Sequence, residues 1–299
     1  MPRRSFPVLA IVMMLGAPCA AAALDVRDDA GGELHLPRAA RRIVSLAPHV
    51  TELLYAAGAG SRLVATVEYS DYPPQARTLP SVGSGARLDL ERIVALRPDL
   101  VIGWASGNPA GQLERLRRLG LPLFLSEPRR LEDIARKLEM FGRLAGSEAA
   151  ADAAAAAFRA RLTTLARNYA QRPVVRVFYE IWDQPLVTIN GRQIISDVLR
   201  LCGGENVFAA LPVLAPTVAI EAVLAADPEA IIASGASAAS GARPAWLDAW
   251  TRWPRLTAAA RGNLFAVDAD LMQRQTPRLL DGAGQVCADL EAARARRPR

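Results

Sequence analysis

The sequence predicts an α/β protein of two lobes with parallel sheets, joined by one long, rigid α-helix. The first observation is the stretch Ser147–Gln171, which contains no Gly or Pro and is dominated by Ala, Leu and Arg, residues of high helix propensity. Ser147 opens it, Glu148 and Asp152 follow, and Pro173 stops it, so the start and stop signals agree. At about 1.5 Å per residue it makes a rod of roughly 37 Å, the height of a small domain.

The other two observations are likenesses on either side of the rod. LERIVALRPDLVI (Leu90–Ile102) aligns with IEAVLAADPEAII (Ile220–Ile232) at an offset of 130 (221 − 91). Each reads as a short helix with an acid near its start, a break at Pro, and a buried apolar strand. Thr51–Gly58 aligns with Ser196–Gly203 at an offset of 145 (196 − 51), and each reads as a capped amphipathic helix ended by glycine. Two matches in the same order around one helix predict two halves of related topology.

Taken in order, residues 1–23 form an export signal. Arg3-Arg4 give the charged start, Pro7–Leu15 the apolar run and Ala20–Ala23 the small-residue cleavage site. The run is too short to span a bilayer comfortably. Pro18 directly before Cys19, with no Leu three positions back, argues against a lipid anchor, so cleavage is expected near Ala22 or Ala23.

The first lobe, 24–145, opens with a hairpin over Leu24–Leu36 that turns at Asp28–Gly32. Strands are expected at Arg42–Ala47, Arg62–Val67, Leu100–Trp104 and Pro122–Leu125. Helices are expected from Thr51, from the cap Asp89 and over Ala110–Leu119, while Leu131–Gly146 leads into the connecting helix, 146–172. The second lobe, 173–299, repeats the plan. It has strands Val174–Tyr179, Ala230–Ala233 and Leu264–Val267, helices Ile195–Cys202, Ile220–Ala226 and Ala245–Trp253, and a final helix through Leu290 with a basic tail. Trp182–Gly191, Ser234–Arg243 and Asp268–Thr276 read as loops. Strands alternating with helices through short loops predict Rossmann-like lobes.

Composition excludes several functions. The net charge is +6, and one lysine, Lys137, stands against 35 arginines (36 − 1). That imbalance reads as base-composition bias, and no basic stripe or aromatic-interleaved motif marks a nucleic-acid binder. Nucleophile-elbow, His-Glu-x-x-His and phosphate-loop patterns are absent. The two histidines, His35 and His49, both lie early in the chain, so a His-based triad or zinc site across two lobes is hard to assemble. Export leaves Cys202 and Cys287, more often a disulfide than a reactive pair in an oxidising compartment. Closing their 85-residue loop (287 − 202) would stabilise by roughly 4 kcal/mol.

Ligands of parallel sheets bind beyond the carboxyl ends of the strands. The loops at those ends are Pro48-His49, Tyr69–Pro74, Trp104–Asn108, Trp182–Pro185 and Asp270–Arg274. They are aromatic and polar rather than glycine-rich, which suits a large, partly flat ligand held by stacking and a few hydrogen bonds.

SLAPHVTELLYAAG, YSDYPPQA, LDLERIVALRPDLVI and LCGGENVF closely resemble segments of the periplasmic vitamin B12 (cobalamin) binding family of ABC importers, from about Arg41 to the C-terminal helix. The resemblance implies a helical-backbone, class III binding protein, monomeric and periplasmic, that carries a corrinoid in its cleft as cargo and is neither an enzyme nor the holder of a cofactor or metal of its own. By position, Tyr69 and Trp104 would face the corrin, Trp182 would form a second aromatic wall, and Asp270 and Arg274 would meet the ligand's polar groups. Pro48 and His49 sit on the loop that touches ligand in the family. Glu91 and Glu221 match its pair of docking glutamates, which meet arginines of the membrane-embedded permease subunits, and Cys202 and Cys287 match its disulfide. Gly85 and Ala215 stand where the family has Trp, and an insertion of about one residue falls near Trp182.

Plainer roles compete for some of these residues. Glu91 and Glu221 lie in first turns, where the helix dipole alone favours an acid by about 0.3–1 kcal/mol. Asp270 and Arg274 have the spacing of a surface ion pair, His49 could be merely solvated, and Trp246, Trp250 and Trp253 recur at helical spacing as packing residues. A haem or ferric-siderophore carrier of the same fold, with Tyr69 or Tyr72 as iron ligand, is the nearest alternative. An exported enzyme acting on a cofactor-like substrate is the more distant one.

Overall fold

The computed structural model describes residues 23–169, 171–236 and 243–298. All but the last residue of the expected export signal lies outside that range. Strands β1 (Leu24–Arg27) and β2 (Glu33–Leu36) form the expected antiparallel ribbon. The first sheet follows, from β3 (Ile43–Ser45), β4 (Leu63–Ala65), β5 (Leu100–Trp104) and β6 (Leu123–Ser126), all parallel and ordered β4-β3-β5-β6. Its helices are α1 (Pro48–Ala56), α2 (Leu90–Ala95), α3 (Ala110–Arg118) and α4 (Leu131–Ala145), and α5 (Glu148–Tyr169) is the connecting rod.

Beyond the rod, β7 (Val175–Glu180) is followed by a small antiparallel hairpin, β8 (Trp182–Asp183) and β9 (Leu186–Val187). Then come β10 (Gly204–Asn206), β11 (Ala230–Ala236) and β12 (Leu264–Asp268), and the second sheet is parallel in the order β10-β7-β11-β12. Its helices are α6 (Ile194–Leu201), α7 (Ile220–Ala226), α8 (Thr257–Ala260), α9 (Ala269–Met272) and α10 (Leu279–Ala295). Counted along the chain, both sheets run second, first, third, fourth strand. The aligned pairs fall on equivalent elements, α2–β5 on α7–β11 and α1 on α6.

Strand residues alternate between two faces, as the two-residue period of a strand requires. In the first sheet Ile43, Leu100, Ile102 and Phe124 share one apolar cluster, while Val44, Val101, Leu123 and Leu125 share another. In the second sheet Val177, Tyr179 and Ile232 join the first of these clusters, whereas Phe178, Ile231 and Ala233 belong to a third. One core therefore runs through both lobes by way of α1, α4, α5, α6 and α10, and each sheet keeps a separate core on its outer side.

Several local expectations are corrected. The rod is 22 residues, roughly 33 Å. Residues before it form a separate helix, because Gly146 takes φ 68° and ends α4 in the left-handed conformation. Ser147 Oγ donates to the Ala57 carbonyl at 2.7 Å, tying the start of the rod to the end of α1. Thr51 and Ser196 are not caps but lie inside α1 and α6, buried. Their hydroxyls pin the helices to nearby loops and strands, Thr51 to Ser45 Oγ at 2.9 Å and Ser196 to the Asn190 carbonyl at 2.7 Å. Trp182–Gly191 contains the β8–β9 hairpin, Asp268–Thr276 contains α9, and β10 had no sequence signal. Ala245–Arg252 is a 3₁₀ helix with Trp250 buried, the packing role expected of that segment. The helix expected there is present, but of the tighter 3₁₀ type, and the last helix runs past Leu290 into the basic tail as far as Ala295. Cys202 and Cys287 form a disulfide with Cα atoms 4.7 Å apart, fastening α6 to α10.

Candidate functional site: the cleft between the lobes

The carboxyl ends of both sheets open onto one cleft of about 590 Å³, within the usual range for small-molecule sites. Trp104 and Glu127 line it from the first lobe, and Ile181, Ile195, Leu214 and Gln275 from the second. Trp104, the last residue of β5, is half-buried, and its indole meets the His49 ring edge-on at 5.1 Å. Pro48 is the first residue of α1, so Pro48 and His49 begin a helix and are not a free loop. His49 is buried and its Nε2 has no partner. Burial and then the nearby Arg274 charge lower its pKa to about 3, so the ring is neutral and serves as packing behind Trp104.

Tyr69 and Trp182 face solvent, 78% and 55% exposed. Neither lines the enclosed part of the cleft, although Trp182 follows the lining residue Ile181. Tyr69 takes φ 63°, a left-handed conformation that bulky side chains rarely adopt. Trp182 Nε1 donates to the Gln184 carbonyl at 2.9 Å across the turn of the hairpin. Ala215 lines the cleft, while Gly85 instead contributes a carbonyl that accepts from Asn108 Nδ2 at 3.1 Å. Glu91 and Glu221 are exposed in the first turns of α2 and α7, equivalent places in the two lobes.

Arg274 is already engaged. It pairs with Asp270 at 2.9 Å, as the i,i+4 spacing allows, but also with Asp71 at 2.7 Å and Glu52 at 2.9 Å from the first lobe. Arg278 donates through Nε and Nη2 to the two oxygens of Glu52 at 3.0 and 2.6 Å, and its guanidinium lies 3.8 Å from the centre of the Tyr72 ring. Glu52 itself is only 3% exposed. Desolvation pushes the Asp71 carboxyl up, but hydrogen bonding and charge from Arg274, with smaller help from the backbone and Arg77, together outweigh it and hold the carboxyl below its ordinary range. These contacts clasp the lobes together across the cleft. Sequence reasoning missed Glu52, Asp71, Tyr72 and Arg278 as a unit. The available signal was an acid, Glu52, set among Val50, Leu53 and Leu54 on a helix otherwise buried.

Among the described residues no cluster of His, Cys, Asp and Glu is arranged to hold a metal, and no helix is long and apolar enough to cross a membrane.

Two parallel-sheet lobes on a stiff helix, with a mostly apolar cleft between their strand ends, define a two-lobed binding protein of the helical-backbone, class III kind. The chain belongs to the periplasmic binding protein family, whose profile matches residues 43–271. It is 40% identical over 258 residues to the vitamin B12-binding protein of Vibrio cholerae, covering 86% of this chain and 91% of that one. The crystal structure of the periplasmic vitamin B12 binding protein BtuF of Vibrio cholerae superposes with a TM-score of 0.78 at 41% identity, covering 85% of this chain and 98% of that one. A periplasmic heme binding protein from Pseudomonas aeruginosa superposes with a TM-score of 0.71 at 28% identity, over 83% and 92%.

Proposed function

We propose that this chain captures vitamin B12 or a related corrinoid in the inter-lobe cleft and delivers it to an inner-membrane ABC importer. The observation that carries this is the 40% identity with a vitamin B12-binding protein over 86% of the chain, against 28% for the heme-binding neighbour. In this reading Trp104 contacts the corrin from the first lobe, Tyr69 and Trp182 supply aromatic edges at the rim, and Pro48 borders the site. Asp270 and Arg274 act mainly through the clasp that sets the cleft's width, and His49 backs Trp104. Calorimetric titration of the mature protein with cyanocobalamin and with haem tests the assignment. Tight binding of cyanocobalamin with haem bound far more weakly is the expected result, and the reverse would overturn it. Ligand recovered unchanged after incubation separates a carrier from an enzyme.

Glu91 and Glu221, one per lobe and exposed, are proposed to dock onto basic groups of the permease. Reversing both charges should abolish uptake with corrinoid binding near normal, and a loss of binding would refute that role. The protein is proposed to reach the periplasm by cleavage near Ala22 or Ala23, which amino-terminal sequencing of the secreted form checks.

A further inference from the structure

Among the described residues, the charged groups lining the cleft are Glu127 and Arg129 from the first lobe and Arg192 from the second, a net charge of +1 (2 − 1). Leu131 N, just past Arg129, donates at 2.8 Å to Asp197 Oδ2 in the first turn of α6, just past Arg192. That bond brings the two arginine-bearing segments together. Both cations therefore stand at one edge of the cleft, one from each lobe.

Arg274 and Arg278 are held by Glu52, Asp71 and Asp270, but neither cleft arginine is hydrogen-bonded to an acid among the described residues. The Arg129 guanidinium has one carboxylate oxygen nearby, Glu127 Oε1, at 3.9 Å, beyond hydrogen-bond reach. Glu127 instead accepts from Ser106 N at 2.8 Å and Ser106 Oγ at 3.0 Å. The other acids beside Arg129, Asp29 and Asp133, pair with Lys137 and Arg136. Arg192 donates through Nη2 to the Pro212 carbonyl. Both arginines are exposed while the cleft is open to water. A large ligand filling the cleft displaces that water, and a guanidinium stripped of water is costly unless an anion meets it.

We infer that Arg129 and Arg192 form an anion site that takes the phosphodiester of a complete corrinoid. A guanidinium presents a planar fork of N–H donors that matches two oxygens of a phosphate group. Arg129 has its fork open, and Arg192 has donors to spare beyond the one given to Pro212. A phosphodiester carries a single negative charge at neutral pH, which balances the net +1 of the cleft lining. The inference rests on the corrinoid reading and deepens it. Cobalamin carries one phosphodiester, in the loop that holds its nucleotide base, and cobinamide, which ends before that loop, carries none.

The test is calorimetry at neutral pH on the mature chain with cyanocobalamin and with dicyanocobinamide, which are both neutral overall. The readout is the ratio of the two affinities, in the unaltered protein and in a variant carrying Arg129→Gln and Arg192→Gln. The double change should shift that ratio against cyanocobalamin by about threefold or more, the worth of charge-assisted hydrogen bonds at a partly exposed site. Each single change should shift it by less. Raising NaCl from about 50 to about 500 mM should move the ratio the same way in the unaltered protein and far less in the double variant. The nucleotide base is also missing from cobinamide, but contacts to it would be insensitive to salt and to these two charges. Cyanocobalamin binding with a smaller shift in the double variant overturns the inference and leaves the corrinoid reading standing. Binding of neither corrinoid by the unaltered protein overturns both.

Discussion

Where α5 lies against α4 on one side and α6 and α10 on the other, the joint between the lobes has an apolar centre with ion pairs at its exposed edges, Arg159 with Glu132 and Glu139 of α4 and Arg161 with Asp281 of α10. Ala151, Ala155 and Phe158 of the rod are buried in the core that both sheets share. Across the cleft, where α1 faces α9 and α10, the joint is ionic, with Glu52 gripping Arg278 and Arg274. The apolar seam is non-directional and tolerates small sliding, whereas the ionic one depends on individual hydrogen bonds that hold or break. A protein with a continuous helical connector and a clasp opposite it should open by flexing the rod or sliding lobes, not by a wide hinge swing.

The comparison is broken most severely at the clasp. Glu52→Ala leaves two largely buried guanidinium groups without their shared acceptor, and should destabilise by about 3–5 kcal/mol. A shift of the urea midpoint worth less than about 1 kcal/mol would mean the clasp does little to hold the lobes. On the apolar seam, a methyl at Gly142 would overlap the Ala151 side chain where α4 meets α5. Gly142→Ala should therefore destabilise by about 1–3 kcal/mol through overpacking. An unchanged melting temperature would show that the helices move apart freely.

Acid should act on the ionic side. His49, next to Arg274, titrates in the fold at about 3 instead of 6.5. Between those values the unfolded chain holds a proton there that the native chain does not, so stability falls as pH drops through that window, by up to about 1.4 kcal/mol per unit. Glu180 works oppositely: burial raises its pKa from 4.5 to about 7, which adds stability as pH falls between those values. Asp289, raised by burial to about 7, acts in the same direction. The readout is therefore the difference between the unaltered protein and His49→Phe across pH 6.5 to 4, and no difference in slope would exclude the histidine. The smallest effect should come from Arg161→Ala. Its ion pair with Asp281 joins the rod to α10 but is about half exposed on both sides, so its loss should register below about 1 kcal/mol. A larger loss would mean that burial does not set the worth of these contacts.

Much of the fold was legible because its signals are local. The rod, the glycines ending α1 and α6, the Asp89 cap accepting from Arg92 N at 2.9 Å, and the helix-then-strand repeat all follow from short-range propensity and periodicity. The break between α4 and α5 was local too. It was missed because Gly146, the αL stop, was read as part of the approach to the rod. The site was legible only as a set of strand-end loops. Trp104 lies in the cleft, but for Arg274 the sequence offered only ligand or its near neighbour Asp270 as partner, because Glu52 and Asp71 stand 222 and 203 residues away along the chain.

By itself the sequence determined two αβ halves of related topology, the stiff link between them and the pair of cysteines on the second half, since each depends on residues close in the chain or on composition. Only the tertiary structure decided that the inner cores merge into one, that His49 is sealed behind Trp104, and that two arginines are spent on clasping the lobes. Those outcomes depend on which distant side chains packing brings within hydrogen-bond reach, and no short-range periodicity encodes a contact between residues 52 and 278.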